Sequence, residues 1–259
     1  MLKEIVADAM EGIDENGKPR FEFESGTALT FIHPKEFASM LNRNYQNQSK
    51  LFLISGDSES GKSTFGKLGM SFGFANRVKI YKVIANLQEA GVLPSVLLPQ
   101  EKRAHGFVYD PLGVANLIGM DSELQRIAIP AIEQEFLEFN RQTGVNVNVV
   151  EAIKHPWIVK GLRSSRLLKA ISIYVEAPLD LRIERQTRHL GLPVNEVADL
   201  VTEKDLWKDG MGNQVVKTTA DLIISNVGSM EDYVKVVTGL LSVVTAHTKN
   251  SRGIPSELS

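Results

Sequence analysis

Eight consecutive residues, Gly56-Asp57-Ser58-Glu59-Ser60-Gly61-Lys62-Ser63, form the pattern G-x-x-x-x-G-K-[ST], with Thr64 next in line. That spacing suits a polyphosphate. Two glycines permit a tight turn in which successive backbone N–H groups point inward at an anion. A helix starting at the second glycine would add its unpaired N–H groups and the positive end of its dipole. Lys62 would reach the β- and γ-phosphates of a nucleoside triphosphate such as ATP, and the Ser63 hydroxyl would ligate Mg²⁺. Asp57 and Glu59 bring negative charge close to that triphosphate. Because the cradle is backbone, both of their side chains are expected to turn to solvent.

A second set of candidates is basic. From Lys154 to Arg188 the chain carries eight Lys and Arg against three Asp and Glu, a net +5 inside a chain whose formal charge is −2. Arg182, Arg185 and Arg188 recur at every third position. On a helix of about 3.6 residues per turn they lie roughly opposite Leu179, Ile183 and Leu190. The leucine face would then pack inward and the arginines would project to clamp phosphoryl oxygens, with Arg185 and Arg188 the preferred pair. A solvated face is the alternative for any one of them. Glu151 ends the run Val145-Asn-Val-Asn-Val-Val150, at the carboxyl end of an expected strand, where open α/β sheets bind ligands. It could hold Mg²⁺ through water or orient an acceptor hydroxyl. It could equally be a capping or ion-paired carboxylate beside Lys154. His155, followed by Pro156 and Trp157, reads as structural.

These residues need a scaffold. Leu51–Ser55 is a short apolar run suited to a strand buried on both faces, and a helix should follow the glycine loop to about Ala75. Residues 145–150, Ile171–Val175 and Leu222–Ser225 read as further strands, and Val78–Ile84 as a weaker one that could continue into a helix. Helical segments alternate with them. One runs from Glu123 to Phe139 with Pro130 as a kink. Another opens at a Ser229/Asp232 capping box and buries Tyr233, Val236, Val237, Leu240, Leu241 and Val244. The expected fold is α/β, three layers around a mostly parallel sheet built from βαβ units. Residues 1–49 form an accessory element, with a hairpin about Ser25-Gly26, a turn at Glu15–Lys18 and a short helix over 34–44. Residues 50–247 form the main domain, and 248–259 a flexible tail.

Composition narrows the chemistry further. No cysteine occurs among the 259 residues, which removes disulfides, thiolate metal sites and thiol nucleophiles. The five histidines are scattered without metal-ligand spacing. A net charge of −2 argues against a broad nucleic-acid footprint. No signal-peptide pattern and no apolar run near the ~20 residues of a membrane helix is present, so a cytoplasmic location without membrane partners is expected. No Asn-Lys-x-Asp guanine signature occurs, which disfavours a signalling GTPase.

The glycine loop, Ile171-Ser-Ile-Tyr-Val-Glu-Ala-Pro178, the Arg182-x-x-Arg185-x-x-Arg188 run and Ala220-Asp-Leu-Ile-Ile-Ser-Asn226-Val-Gly-Ser229 together resemble the dephospho-CoA kinase and nucleoside monophosphate kinase group of P-loop proteins, over roughly residues 50–245. The resemblance implies a P-loop fold and ATP- and Mg²⁺-dependent phosphotransfer to a small-molecule acceptor, a nucleotide or nucleotide-like phosphate. It implies a lid over about 178–219, with Asn226 and Gly228 bordering the adenine. It also implies an acceptor pocket built from 86–143 and faced by Val149–Pro156. One departure stands out. An Asp-x-Asp is expected soon after the second strand, and the chain has Tyr81-Lys-Val-Ile-Ala-Asn86 there. That counts against dephospho-CoA as the acceptor and leaves a second reading, a nucleotide-binding regulator without a productive acceptor site.

Overall fold

Every residue of β4 (Ser49–Gly56) is buried, because both of its faces are covered. Alternation along the strand sends Phe52 and Ile54 into one hydrophobic cluster and Leu51 and Leu53 into the other. The same division runs through β6 (Val147–Glu151), with Val147 and Val149 opposite Val150, and through β7 (Leu168–Glu176), with Ile171, Ile173 and Val175 opposite Leu168 and Ala170. Two apolar layers on one sheet give the three-layer α/β architecture expected from the βαβ pattern. The structure is a computed structural model that describes residues 9–41, 48–97 and 110–249.

The sheet has eight strands. Besides those three they are β1 (Met10–Ile13), β2 (Pro19–Glu22), β3 (Ala28–Phe31), β5 (Asn76–Lys79) and β8 (Leu222–Ser225). Their spatial order is β1-β2-β3-β8-β7-β4-β6-β5. The five strands from β8 to β5 are parallel, while β1, β2 and β3 join the β8 edge as an antiparallel meander. The chain leaves central β4 toward β5 on one side and returns from β6 to β7 on the other. That reversal opens a crevice at the carboxyl ends of β6, β4 and β7. The accessory element is therefore part of the same sheet. Its expected Ser25-Gly26 hairpin and Glu15–Lys18 turn are both present, with one strand more than the alternation suggested.

Helices cover both faces. On one side lie α1 (Pro34–Met40), α2 (Lys62–Ser71) and α10 (Met230–Lys249). All six stripe residues of α10 are buried, and Ser229 Oγ accepts the Asp232 N–H at 3.1 Å and donates to the Asp232 carboxylate at 2.9 Å. The other side holds α3 (Ile80–Glu89), α4 (Pro111–Met120), α5 (Ser122–Thr143) and α6 (Pro156–Arg163). α5 runs through Pro130 without a break, and α2 ends at Ser71, short of Ala75. α10 includes Thr248 and Lys249, two residues assigned above to the tail; residues 250–259 lie outside the described residues, as do 98–109 of the expected acceptor region. An Asp-x-x-Gly tetrad, Asp110–Gly113, is a helix start: Asp110 Oδ1 accepts the Leu112 and Gly113 N–H groups at 3.1 and 2.9 Å, capping α4.

The lid span carries α7 (Leu179–Leu190), α8 (Val194–Gly210) and α9 (Asn213–Thr218). α7 corrects the wheel argument. Leu179 and Leu190 are exposed, whereas Arg182 and Gln186 are buried. The helix packs through its polar face because the surface beneath it is the glycine loop, whose carbonyls want donors and not methyl groups. Among the described residues no helix is long and apolar enough to cross a membrane.

Candidate phosphate-binding site

The glycine loop connects the end of β4 to the start of α2 and depends on backbone shapes that side chains resist. Gly56 has φ of 137°, and a Cβ there would stand 2.0 Å from the Val175 carbonyl oxygen. Gly61 has φ of 113°, and a Cβ would stand 2.5 Å from Asn226 Nδ2. Glu59 also takes a left-handed φ of 57°, a conformation costing a non-glycine residue of order 1 kcal/mol or more. The α2 N-cap, Gly61, makes no side-chain cap, so the first-turn amides face the loop's concavity. Ser60 Oγ donates to the Asp57 carbonyl at 3.0 Å, and the Lys62 ammonium folds back on that same carbonyl.

A cavity of about 350 Å³ opens above this loop, lined by Lys62, Ser63, Thr64, Arg185, Lys208 and Asn226 among others. Arg185 donates to the Asn226 carbonyl at 3.0 Å and to the Glu59 carbonyl at 3.4 Å, so it reaches the cavity as the sequence suggested. Arg188 does not. It is exposed and pairs with Glu184 one turn away at 2.5 Å, outside the cavity lining. Its place in the polar face is taken by Arg182, which donates to the Ala177 carbonyl at 2.9 Å and the Ser58 carbonyl at 3.3 Å and pairs with Asp205.

Asp205 and Lys208 were missed by sequence reasoning. They sit one turn apart on α8, in a stretch reading Glu203-Lys-Asp-Leu-Trp-Lys-Asp209 whose charges look like any solvated helix face. Asp205 accepts the Ser58 N–H at 2.9 Å, and Lys208 donates to Ser58 Oγ at 2.6 Å. Guanidinium, ammonium and amide together hold the Asp205 carboxyl below the usual carboxylate range against the opposing effect of its burial.

The loop carboxylates divide. Glu59 is exposed, as expected, but Asp57 is not free: it accepts the Tyr174 hydroxyl at 2.5 Å. Asn213 Nδ2 donates to the same hydroxyl at 3.0 Å, fixing the loop to β7 and α9. Glu151 takes the ion-paired alternative, with Arg77 of β5 and not Lys154 as partner. It is 3% exposed and accepts from Arg77 Nε at 2.6 Å and Nη2 at 3.0 Å. The geometry also explains Gly66: a Cβ there would lie 1.9 Å from Glu151 Oε1. Gly66→Ala is expected to cost about 1–3 kcal/mol by forcing this pair aside. Urea unfolding measures it; a midpoint equal to wild type would mean that the pair shifts without cost.

Asn226 donates through Nδ2 to the Ser60 carbonyl at 2.8 Å, bracing the loop from β8. Gly228 lies apart from the cavity. Its N–H donates to Thr27 Oγ1 at 3.2 Å, and a Cβ on it would stand 2.0 Å from Ser25 Oγ. His155 is buried against Tyr81, with ring centroids 6.1 Å apart.

Burial and the nearby Lys208 push the Lys62 ammonium down to about 7, against the smaller pull of Asp57, Glu59 and Asp205. Among the described residues no cluster of three His, Asp or Glu side chains gathers for a metal. A Mg²⁺ here would be held by Ser63, water and ligand phosphates, a donor set that suits this hard ion.

No family model matches the chain. Over 80 residues it is 35% identical to the nucleolar protein SWM2 of Zygosaccharomyces rouxii, a stretch covering 30% of this chain and 58% of that protein. In structure it is similar to TT1252 from Thermus thermophilus (21% identity, 76% of this chain, 98% of that one, TM-score 0.46). It is also similar to a dephospho-CoA kinase from Campylobacter jejuni (20% identity, 78% and 99%, TM-score 0.36). A third is a shikimate kinase from Acinetobacter baumannii in complex with shikimate (13% identity, 79% and 97%, TM-score 0.37). The parallel strand order and the glycine loop define the α/β fold independently of these likenesses.

Proposed function

We propose that the chain is an ATP- and Mg²⁺-dependent phosphotransferase acting on a small molecule that already carries a phosphate. The observation that carries this reading is one cavity where the glycine loop, Lys62, Ser63, Arg185 and Lys208 converge. Bound Mg·ATP would supply the phosphoryl group and its leaving group. Loop amides within residues 56–64 would hold the phosphates, apart from those of Ser58 and Thr64, which donate to Asp205 and to the Gly61 carbonyl; Lys62 would contact the phosphates, and Ser63 would ligate the metal. Arg185, fixed by two carbonyls of the loop and of Asn226, is placed to neutralise charge that spreads over transferring oxygens. Such chemistry is positioning and electrostatics, and needs no covalent intermediate.

The state of the carboxylates favours a phosphate acceptor over an alcohol. A hydroxyl needs a base, whereas a phosphate oxygen is already an anionic nucleophile. Asp57 is held by Tyr174, Asp205 by Arg182, and Glu151 by Arg77, so none of the three stands ready to take a proton, which leaves Glu59, the exposed carboxylate of the cavity lining, as the base an alcohol acceptor would need. The same pairing of Glu151 favours the second reading, a nucleotide-dependent regulator. Coupled ADP-release assays across nucleoside monophosphates and dephospho-CoA separate the two. Turnover stimulated by a monophosphate supports the kinase; nucleotide binding with no stimulation by any acceptor supports the regulator.

Lys62 adds a pH signature. With its ammonium near 7 in the free protein, the residue is largely neutral at pH 8, and a bound polyphosphate would recharge it. Affinity for ADP is therefore expected to fall as pH rises above about 7, with uptake of up to one proton on binding at pH 8. Calorimetry in buffers of different ionisation enthalpy reads this uptake directly; none at pH 8 would contradict the assignment of Lys62.

A further inference from the structure

Beyond the cavity, the carboxyl end of β6 delivers a second cation toward the crevice. Ala152 takes a left-handed φ of 66°, and this turn folds the chain beneath the strand that bears the glycine loop. There the Ile153 N–H donates to the Ile54 carbonyl at 3.2 Å, and Ser55 Oγ donates to the Ile153 carbonyl at 2.6 Å. Lys154 follows at once. Its ammonium lies 4.1 Å from the centroid of the Trp207 ring on α8 and 5.0 Å from that of Tyr81 at the start of α3. Three elements, the ends of β5 and β6 and the lid, thus frame one half-buried ammonium. It has no carboxylate partner among the described residues.

Two further observations point to a missing anion. Among the described residues the Tyr81 hydroxyl is enclosed without a hydrogen-bond partner, and so is His155 Nε2, in a residue that is 3% exposed. An unpartnered buried polar group costs about 1–3 kcal/mol, so a ligand oxygen in reach of such a hydroxyl recovers part of that. Burial first, and the charge of Lys208 second, bring the Lys154 ammonium down to about 8, and Lys208 itself touches the glycine loop through Ser58 Oγ at 2.6 Å. Lys62 and Lys208 both line the cavity, and Lys154 lies against the ring of Trp207, the residue next to Lys208 on α8. Nucleotide phosphates on the loop account for the first; nothing so far described accounts for the last.

We propose that Lys154 and Lys208, framed by Tyr81 and Trp207, form the subsite for the anionic group of the acceptor, an organic phosphate monoester. This rests on the phosphotransferase reading, whose donor site it adjoins. In the subsite Lys154 and Lys208 neutralise the monoester and the Tyr81 hydroxyl donates to it. Trp207, half exposed beside them, forms a lid-side wall that a planar substituent can contact.

The test uses the full chain saturated with ADP·Mg²⁺. AMP, CMP, GMP and UMP are each titrated by calorimetry and by tryptophan emission, because a phosphate drawing Lys154 off the Trp207 ring changes that signal. At least one monoester is expected to bind, its parent without the monoester phosphate far more weakly. Lys154→Met is expected to weaken that binding by roughly 10- to 100-fold with ADP affinity unchanged, and Lys154→Arg to restore much of it. Trp207→Phe is expected to remove the emission change. Binding by none of the four, or unchanged binding in Lys154→Met, overturns the subsite. The donor site is judged apart from it, through loss of ADP binding in Lys62→Ala. If wild type binds no ADP the phosphotransferase reading fails, and the same titrations without nucleotide still decide the subsite.

Discussion

Lys62→Ala is expected to lower phosphotransfer by roughly 10²–10³-fold or more while the protein stays folded. The loss follows from removing the one loop ammonium whose contacts would strengthen as charge moves between donor and acceptor. Retention of the fold follows from the same burial that depresses its charge. In the free protein the ammonium is desolvated and satisfied only by the Asp57 carbonyl and Ser60 Oγ. Its folded value near 7 lies below the unfolded 10.5, so the unfolded chain binds more protons between those values. The residue therefore burdens the fold most below about pH 7, and the burden lifts as pH rises toward 10. Lys62→Ala should melt no lower than wild type at pH 7. Activity near wild type would refute the role of the loop, and a collapse in melting temperature would show that Lys62 is structural.

The second large effect is on stability. Asp205→Ala is expected to cost about 3–5 kcal/mol, because it leaves the Arg182 guanidinium buried without its counter-charge. The substitution also removes the acceptor of the Ser58 N–H and the Lys208 ammonium, so the lid loses its hold on the loop. At this chain length the melting temperature should drop by roughly 6–20 °C. Arg182→Met with Asp205→Leu should recover part of it, since the apolar pair removes the unpaired guanidinium but still leaves the Ser58 N–H and the Lys208 ammonium without Asp205. Thermal melts of the single and double variants decide. A single variant that melts with wild type would mean that α7 and α8 do not depend on this pair.

The parts of the molecule written in local pattern were legible beforehand. The apolar run Leu51–Ser55, the strand Ile171–Val175, the 3.6-residue stripe of α10 and its Ser229/Asp232 start all depend on near neighbours, and all stand in the structure. The glycine loop was legible because its backbone geometry forbids side chains at fixed spacing. The errors lay where partners come from afar. Glu151 could not disclose Arg77, which lies 74 positions away. The wheel for α7 assumed that an apolar face meets an apolar core. A helix lying on exposed loop carbonyls inverts that rule, so Arg182 turned inward and Arg188 outward. Asp205, Lys208 and Trp207 carried no signal, since a lid helix looks solvated until it is placed over a site.

The antiparallel meander has a temporal consequence. Ala28 pairs with Ser225 and Phe31 with Leu222, so strands made early in synthesis find their partner only when β8 emerges. Every element of the phosphate loop lies between them in sequence. Closing so long a loop is slow relative to local pairing. Until it closes, β8 or β3 offers an open edge to other chains, and in the finished sheet that edge passes to the short strand β1. The brace on the loop, from Thr27 through Gly228 to the Asn226 side chain, thereby waits on residues that follow β8 in the chain. A chain halted before β8 would have the glycines, Lys62 and Ser63 in place in sequence, yet no Asn226 to hold the Ser60 carbonyl.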